Sequence, residues 1–155
     1  MRTVRRRRLE AKTDYKTRLA LLMSGKPRLV VRKTNRYIIA QLVETTIAQD
    51  KILFGLTSHA LMAKGWPKEY AGGLKNITAA YLTGYMLGKL AKGKIKEAVL
   101  DLGMHRAAPR SRIYAVVKGV IDAGITIPHN PSILPLKESI ESNKKVKEVL
   151  TKLQT

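Results

Sequence analysis

Two runs rich in aliphatic and β-branched residues, separated by a short polar break, constrain the fold of this chain most strongly. The runs are Arg28–Arg32 and Tyr37–Val43, and the break is Lys33-Thr34-Asn35. Asn tolerates a positive φ, and Thr and Asn side chains bond to their own backbone, so the break predicts a hairpin turn. A third run, Lys51–Leu56, alternates in the manner of a strand. We therefore expect an antiparallel meander.

Two helical patterns follow the meander, with one more strand between them. Asn76 is expected to cap a helix that runs to about Lys92, and Ser111 a helix that ends at Gly124. The intervening run Ile95–Leu102 predicts a strand. A strand–helix–strand–helix unit after a meander predicts an α/β fold, specifically an α+β sandwich. Its mixed sheet should be antiparallel at first and parallel where the helix crosses over.

Small residues form a ridge along the first of these helices. Ala80, Gly84 and Gly88 share one face, and each glycine costs about 1 kcal/mol in helix propensity. Such a ridge is expected to let the helix lie close on the sheet.

The two ends of the chain have a different character from this core. A short helix is expected from Thr13, the proline-containing segment Ile127–Pro135 predicts an extended arm, and Lys137–Leu153 predicts a final amphipathic helix. The expected organisation is a basic N-terminal arm with a short helix over residues 1–25, an α/β core over 26–126, and an extended arm with a C-terminal helix over 127–155.

Positive charge dominates the composition. The formal net charge is +19, and the first 36 residues hold thirteen basic and two acidic side chains, a balance of +11. Such an excess requires a polyanionic partner, most often nucleic acid and sometimes an acidic membrane. No apolar run reaches the length of a membrane span, so no membrane partner is expected. Clustered arginines repel one another and bury nothing, so residues 1–8 are expected to be disordered in the free protein.

Cysteine usage and the N-terminus bear on the compartment. The absence of cysteine fits a reducing compartment and excludes disulfides and thiolate metal sites. The N-terminus has no apolar segment typical of a secretory signal. An arginine-rich transit peptide is the competing interpretation of residues 1–8, and Glu10 and Asp14 argue against it. We expect a cytoplasmic protein.

The hairpin tip is the first candidate binding site. It carries Arg32, Lys33 and Arg36, with Asn35 in the turn and Tyr37 beside it. Guanidinium groups pair with phosphates and aromatic rings stack on bases, so this set suits a sugar–phosphate backbone with unstacked bases. The alternative is a solvated hairpin whose charges protect a sheet edge.

The entrance of the second helix is the other candidate. His105, Arg106, Arg110 and Arg112 surround Ser111, where the helix dipole is already positive. Cations are disfavoured there by about 0.3–1 kcal/mol each. The arrangement is simplest to understand if an anion occupies the site, because helix N-termini favour phosphate. The alternative is loop charge without consequence.

Catalysis is the less favoured interpretation. A metal-dependent nuclease needs converging carboxylates, and Asp50, Asp101 and Asp122 are the candidates. The histidines have no metal-binding spacing, and no phosphate-binding glycine loop is present. We expect a protein that is not an enzyme and has no cofactor and no metal. A nonspecific nucleic-acid-binding protein is the remaining alternative.

Several segments together resemble one family. They are Arg5–Arg8, Thr13-Asp14-Tyr15, Lys26-Pro27-Arg28, Arg32-Lys33-Thr34-Asn35-Arg36, Ala79-Ala80-Tyr81-Leu82-Thr83-Gly84, Glu97-Ala98-Val99-Leu100-Asp101-Leu102-Gly103 and Ile127-Pro128-His129-Asn130. The chain resembles the 5S rRNA-binding large-subunit ribosomal proteins of the L18 family, in its archaeal or eukaryotic form, whose eukaryotic counterpart is L5. The loop His105–Arg110 lacks the Gly-Gly and Tyr-His-Gly pattern of bacterial members, so bacterial contacts there are not carried over.

This resemblance implies a structural, RNA-binding component of the large ribosomal subunit. Such a protein would bind 5S rRNA and attach it to the large rRNA in the central protuberance, beside neighbouring ribosomal proteins that include the other 5S-binding protein. The family places its basic arm and the sheet face near the hairpin on 5S rRNA. By position, the implied contacts here are Arg5, Arg6, Arg7, Arg8, Tyr15, Arg18, Arg28, Arg32, Lys33, Asn35, Arg36 and Tyr37.

Overall fold

A four-stranded mixed sheet forms the centre of the fold. The computed structural model describes residues 4–47 and 49–140. The strands follow the order β3-β2-β1-β4, antiparallel from β3 to β1 and parallel between β1 and β4. Their bounds are Arg28–Lys33 for β1, Ile38–Thr46 for β2, Gln49–Thr57 for β3 and Val99–Asp101 for β4. The predicted α+β fold with a mixed sheet is confirmed, although β4 is shorter than the predicted strand Ile95–Leu102.

The predicted hairpin between β1 and β2 is confirmed, but its turn spans residues 34–37 rather than Lys33-Thr34-Asn35, and Asn35 does not adopt a positive φ. Lys33 pairs with Ile38 at the end of the ladder. Within the turn, the Thr34 amide donates to the carbonyl oxygen of Tyr37 at 2.9 Å, and the Tyr37 amide donates to Thr34 Oγ1 at 2.9 Å. The threonine side chain therefore replaces a missing backbone partner, which is why the turn is local and predictable.

The helices differ more from expectation at the chain ends than in the core. Their bounds are Arg6–Leu9 for α1, Tyr15–Met23 for α2, Ile77–Ala91 for α3, Arg112–Asp122 for α4 and Lys137–Ile140 for α5. Asp14 caps α2, since its carboxylate accepts from the amides of Lys16 and Thr17. The expectation of disorder through residue 8 is corrected by the helical turn α1. The predicted C-terminal helix beyond residue 140 lies outside the described residues.

The small-residue ridge of α3 packs against α4, which corrects the expectation that it lies on the sheet. A Cβ added at Gly84 would lie 2.2 Å from the carbonyl oxygen of Val116. Gly119 of α4 makes the corresponding close contact with α3, because a Cβ there would lie 2.2 Å from the carbonyl oxygen of Tyr81. Glycines on both helices therefore allow backbone-to-backbone contact.

The hydrophobic core lies between this helix pair and one face of the sheet. Leu29 and Val31 of β1 and Leu42 of β2 are fully buried there together with residues of α3 and α4. Side chains alternate along a strand, so Arg28 and Arg32 belong to the opposite face. That second face carries the charged residues on which the site is built.

Candidate nucleic-acid interface

The charged face of the sheet is organised around Arg28, which is buried. Its side chain bonds through Nη1 to Asp101 Oδ2 at 2.8 Å and through Nη2 to Asp50 Oδ1 at 2.7 Å and Thr45 Oγ1 at 3.0 Å. Arg28 is only 3% exposed. Its guanidinium therefore already has two carboxylate partners and does not face solvent. Arg28 thereby links β1 to residues of β2, β3 and β4, and its expected contact with RNA stays a prediction.

Asp101, at the end of β4, fixes the side chain of Arg32 and the loop that follows. Its Oδ1 accepts from Arg32 Nη2 at 3.1 Å and from the Gly103 amide at 2.8 Å, while its carbonyl oxygen accepts from Arg32 Nη1 at 2.9 Å. Gly103 has a φ of 57°, and a Cβ there would lie 2.9 Å from Arg32 Cζ. The side chain of Arg32 remains 37% exposed. It is therefore held in place and still reachable by an RNA phosphate.

Asp50 joins helix α2 to this network. Its Oδ2 accepts from Arg18 Nη2 at 3.0 Å, while Oδ1 accepts from Arg28. Burial alone would raise the pKa of Asp50, but hydrogen bonds from Thr45 and Arg28 hold it below its ordinary value. A carboxylate kept ionised in this way anchors α2 beside the charged sheet face.

The three carboxylates proposed for a nuclease do not converge on a metal site, which corrects that alternative. Asp50 and Asp101 are paired with arginines. Asp122 lies between the two helices, where it accepts from the Tyr81 hydroxyl at 2.9 Å; burial and this carboxylate raise the pKa of Tyr81. Within residues 4–47 and 49–140, no three acidic or histidine side chains cluster as metal ligands would.

The hairpin tip and the entrance of α4, which are distant in sequence, are adjacent in the structure. The amide of Lys33 donates to Nε2 of His105 at 3.1 Å. Burial, together with the nearby charges of Lys33 and Arg32, lowers the pKa of His105. A neutral imidazole that accepts a hydrogen bond therefore docks the loop onto the hairpin. The two basic patches thus form one surface.

The tip itself is open to solvent. Lys33, Asn35 and Arg36 are exposed, and Tyr37 is partly buried, with its ring in edge contact with His59 at a centroid distance of 5.6 Å. The exposed cations and amide remain available for a ligand, while the tyrosine ring is oriented by its neighbour.

The basic arm lies beside α2. Arg5, Arg6, Arg7 and Arg8 are all exposed. Arg5 Cζ lies 4.7 Å from the ring centroid of Tyr15, and Arg7 Nε donates to Thr13 Oγ1 at 2.8 Å. One face of the Tyr15 ring is therefore covered by an arginine in the free protein. A base that stacks on that face would have to displace Arg5.

The residues around the start of α4 take separate positions. Arg110 has a positive φ of 57°, and its amide donates to the carbonyl oxygen of Ile133 at 2.8 Å. Arg112 Nη1 reaches the carbonyl oxygen of Lys75 at 3.5 Å. Arg106 is exposed. Of the predicted cationic residues in this loop, Arg106 and Arg112 line a cavity beside the start of α4, whereas Arg110 is not part of its wall.

Comparison with known proteins identifies the family of this chain. The model of the family described as "Ribosomal large subunit proteins 60S L5, and 50S L18" matches residues 1–97 and 90–130. The chain belongs to this family. The resemblance inferred from the sequence motifs is therefore confirmed.

Archaeal members of the family are similar over most of the chain, and all three below are named large ribosomal subunit protein uL18. The protein of Korarchaeum cryptofilum is 51% identical over 136 residues, which span 87% of this chain and 68% of that relative. That of Halobacterium salinarum is 48% identical over 130 residues, spanning 83% and 69%. That of Methanospirillum hungatei is 45% identical over 134 residues, spanning 86% and 74%.

Membership of the L5/L18 family supports a structural role in the large ribosomal subunit, with rRNA as the polyanion that the charge requires. None of the helices in the described residues is long and apolar enough to cross a membrane.

Sequence reasoning missed Lys75 as a member of the basic surface. Its signal was present, because Lys75 precedes the cap of α3 as Arg110 precedes the cap of α4.

Proposed function

We propose that this L5/L18-family protein binds 5S rRNA and attaches it to the large rRNA in the central protuberance, beside the other 5S-binding protein. The observation that carries the proposal is a cationic surface in which Arg7 of the arm and Arg32 line one cavity and His105 holds the following loop against the hairpin tip. A surface of this kind neutralises backbone phosphates and, with its amide and aromatic groups, can also contact unstacked bases.

The exposed and the buried arginines have different tasks in this proposal. Arg5 to Arg8 and Arg36 are exposed and would pair with phosphates, whereas Arg32 is reachable and held in one orientation by Asp101. Arg18 is bound to Asp50 and contributes mainly by positioning α2. A preorganised surface loses less side-chain entropy on binding, which favours one RNA shape over other polyanions.

Competition binding separates this proposal from nonspecific nucleic-acid binding. Labelled 5S rRNA bound to the protein would be challenged with unlabelled 5S rRNA, with other large-subunit rRNA and with duplex DNA. Shape and 2′-OH contacts should make duplex DNA the weakest competitor. If duplex DNA competes as well as 5S rRNA at equal phosphate concentration, the protein is a nonspecific binder.

A matched pair of variants locates the surface. The tip variant Lys33→Gln/Arg36→Gln removes two exposed cations of the hairpin, and the control variant Lys92→Gln/Lys96→Gln removes two exposed cations that follow α3. Charge-assisted hydrogen bonds are worth about 1.5–3 kcal/mol each, so the tip variant should lose at least tenfold more affinity for 5S rRNA than the control. Equal losses would remove the hairpin tip from the interface.

A further inference from the structure

A cavity of about 640 Å³ opens where the N-termini of α3 and α4 meet the hairpin tip. The polar residues of its wall include Lys33, Lys75, Asn76, Arg106, Ser111 and Arg112. These residues come from three separate parts of the sequence. Arg112 spans the gap between the helix starts by reaching the carbonyl oxygen of Lys75.

The cations of this cavity differ from those of the sheet face in having no acidic partner. Arg18, Arg28 and Arg32 are each paired with Asp50 or Asp101. For Lys33, Lys75, Arg106 and Arg112, no carboxylate among residues 4–47 and 49–140 lies within ion-pair distance, and none lines the cavity wall. Four like charges around one cavity repel each other unless an anion joins them.

Both helix starts add positive potential and unused donors. Neither Asn76 nor Ser111 gives a side-chain cap to the first-turn amides of its helix. The hydroxyl oxygen of Ser111 is also buried and has no hydrogen-bond partner among residues 4–47 and 49–140, which is uncommon for a polar group in a folded protein. Helix starts with free amides are ready-made anion sites, and an unpartnered hydroxyl in the same wall supplies one more donor.

We propose that this cavity binds an unpaired nucleotide of rRNA, with its phosphate between the starts of α3 and α4. The volume lies in the range of about 300–1,000 Å³ typical of small-molecule sites, so a phosphate alone would leave most of it empty. The apolar part of the wall, which includes Tyr70, Ile77 and Ile113, suits a base or a ribose. The inference rests on the proposed RNA-binding function and adds a site that shares Lys33 with the exposed tip.

The experiment compares variants of the full chain in binding to 5S rRNA and to large-subunit rRNA, measured separately. The cavity variant is Arg106→Gln/Arg112→Gln, and Lys92→Gln/Lys96→Gln is the control of equal charge. Loss of charge-assisted bonds to one phosphate should weaken binding about 10- to 100-fold beyond the control. A loss on one RNA alone identifies the source of the nucleotide, and an effect no larger than the control on both RNAs overturns the proposal.

A smaller probe tests the same site without changing charge. Ser111→Ala removes a hydroxyl that makes no hydrogen bond within the described part of the chain, so the unfolding temperature should stay the same or rise slightly. Affinity for the RNA that responds to the cavity variant should fall about tenfold. Unchanged affinity with Ser111→Ala would remove the hydroxyl from the site.

Direct binding can be followed by NMR with a short single-stranded oligoribonucleotide and a duplex of the same length. The amides of Thr78 and Ile113, in the first turns of α3 and α4, should shift with the single strand and much less with the duplex. Equal shifts with the single strand and the duplex would overturn the proposal that the bound nucleotide is unpaired. If the wild-type protein does not prefer 5S rRNA, the proposed function fails. The cavity proposal is then still tested by comparing the cavity variant with its control in binding to large-subunit rRNA.

Discussion

Replacing Asp101 with Asn should destabilise the protein and weaken its RNA binding together, although the change removes a negative charge. Asp101 is 7% exposed and accepts from Arg28, Arg32 and the Gly103 amide. The substitution raises the net charge by one unit from +19, so a purely electrostatic account predicts tighter RNA binding. Our account predicts the reverse, because the carboxylate positions cations of the binding surface.

The magnitude follows from the burial of Arg28. Breaking a buried ion pair by removing one partner costs about 3–5 kcal/mol. Arg28 keeps Asp50 at 2.7 Å and Thr45 at 3.0 Å, so the lower end of that range applies, about 3 kcal/mol. For a chain of this size, each kcal/mol lowers the unfolding midpoint by about 2–4 °C, which gives a decrease of about 6–12 °C.

The assay pairs thermal unfolding with RNA binding measured well below both midpoints. Glu44→Gln serves as the control, because Glu44 is exposed and has no ion-pair partner in the described part of the chain. It removes the same charge and should leave the midpoint within about 1 °C, since surface changes are typically within 0.5 kcal/mol. If the unfolding midpoint of Asp101→Asn equals that of the control, or if Asp101→Asn binds RNA as tightly as the control does, the positioning role of Asp101 is refuted.

Three further measurements test other parts of the structure. Gly84→Ala places a Cβ 2.2 Å from the Val116 carbonyl oxygen and should cost about 3 kcal/mol by denaturant unfolding, whereas Gly72→Ala, with open space around it, should be nearly neutral. Deleting residues 1–8 should scarcely change the unfolding midpoint, since α1 buries nothing, but should reduce the slope of log affinity against log salt by several units; a large drop in the midpoint would contradict this. Burial and two neighbouring cations lower the pKa of His105, so the unfolded chain takes up its proton first, and stability present above about pH 6.5 should decline as the pH falls below it. His105→Gln should flatten the stability curve between about pH 5 and 7, and an unchanged slope would contradict the assignment.

Local elements of the fold were predictable because short-range interactions determine them. The turn after β1 forms through the Thr34 side chain and Tyr37, three residues apart, and Asp14 caps α2 within its own first turn. The parallel direction of β4 also followed from the sequence, since the helix between β3 and β4 returns the chain in the same direction; only the structure showed that β4 pairs with β1.

The partner of the glycine ridge was not predictable in the same way. Ala80, Gly84 and Gly88 show that something approaches α3 closely, but a flat sheet and a second helix both satisfy that pattern. The structure decides for α4, because Gly119 offers a matching gap. Both helices must carry small side chains at the point where they touch, and this match depends on packing between segments that are distant in the sequence.

The sequence by itself determined the charge excess, the hairpin, the helix starts and the family to which the chain belongs, because these depend on residue types and their spacing. Only the tertiary structure decided which cations are free. Arg28 and Arg36 are the same residue type, eight positions apart, yet Arg28 is buried against Asp101, 73 residues away, while Arg36 faces solvent. Burial and pairing depend on distances between segments remote in the chain. For that reason a count of arginines predicts a cationic region but not which of its side chains are exposed.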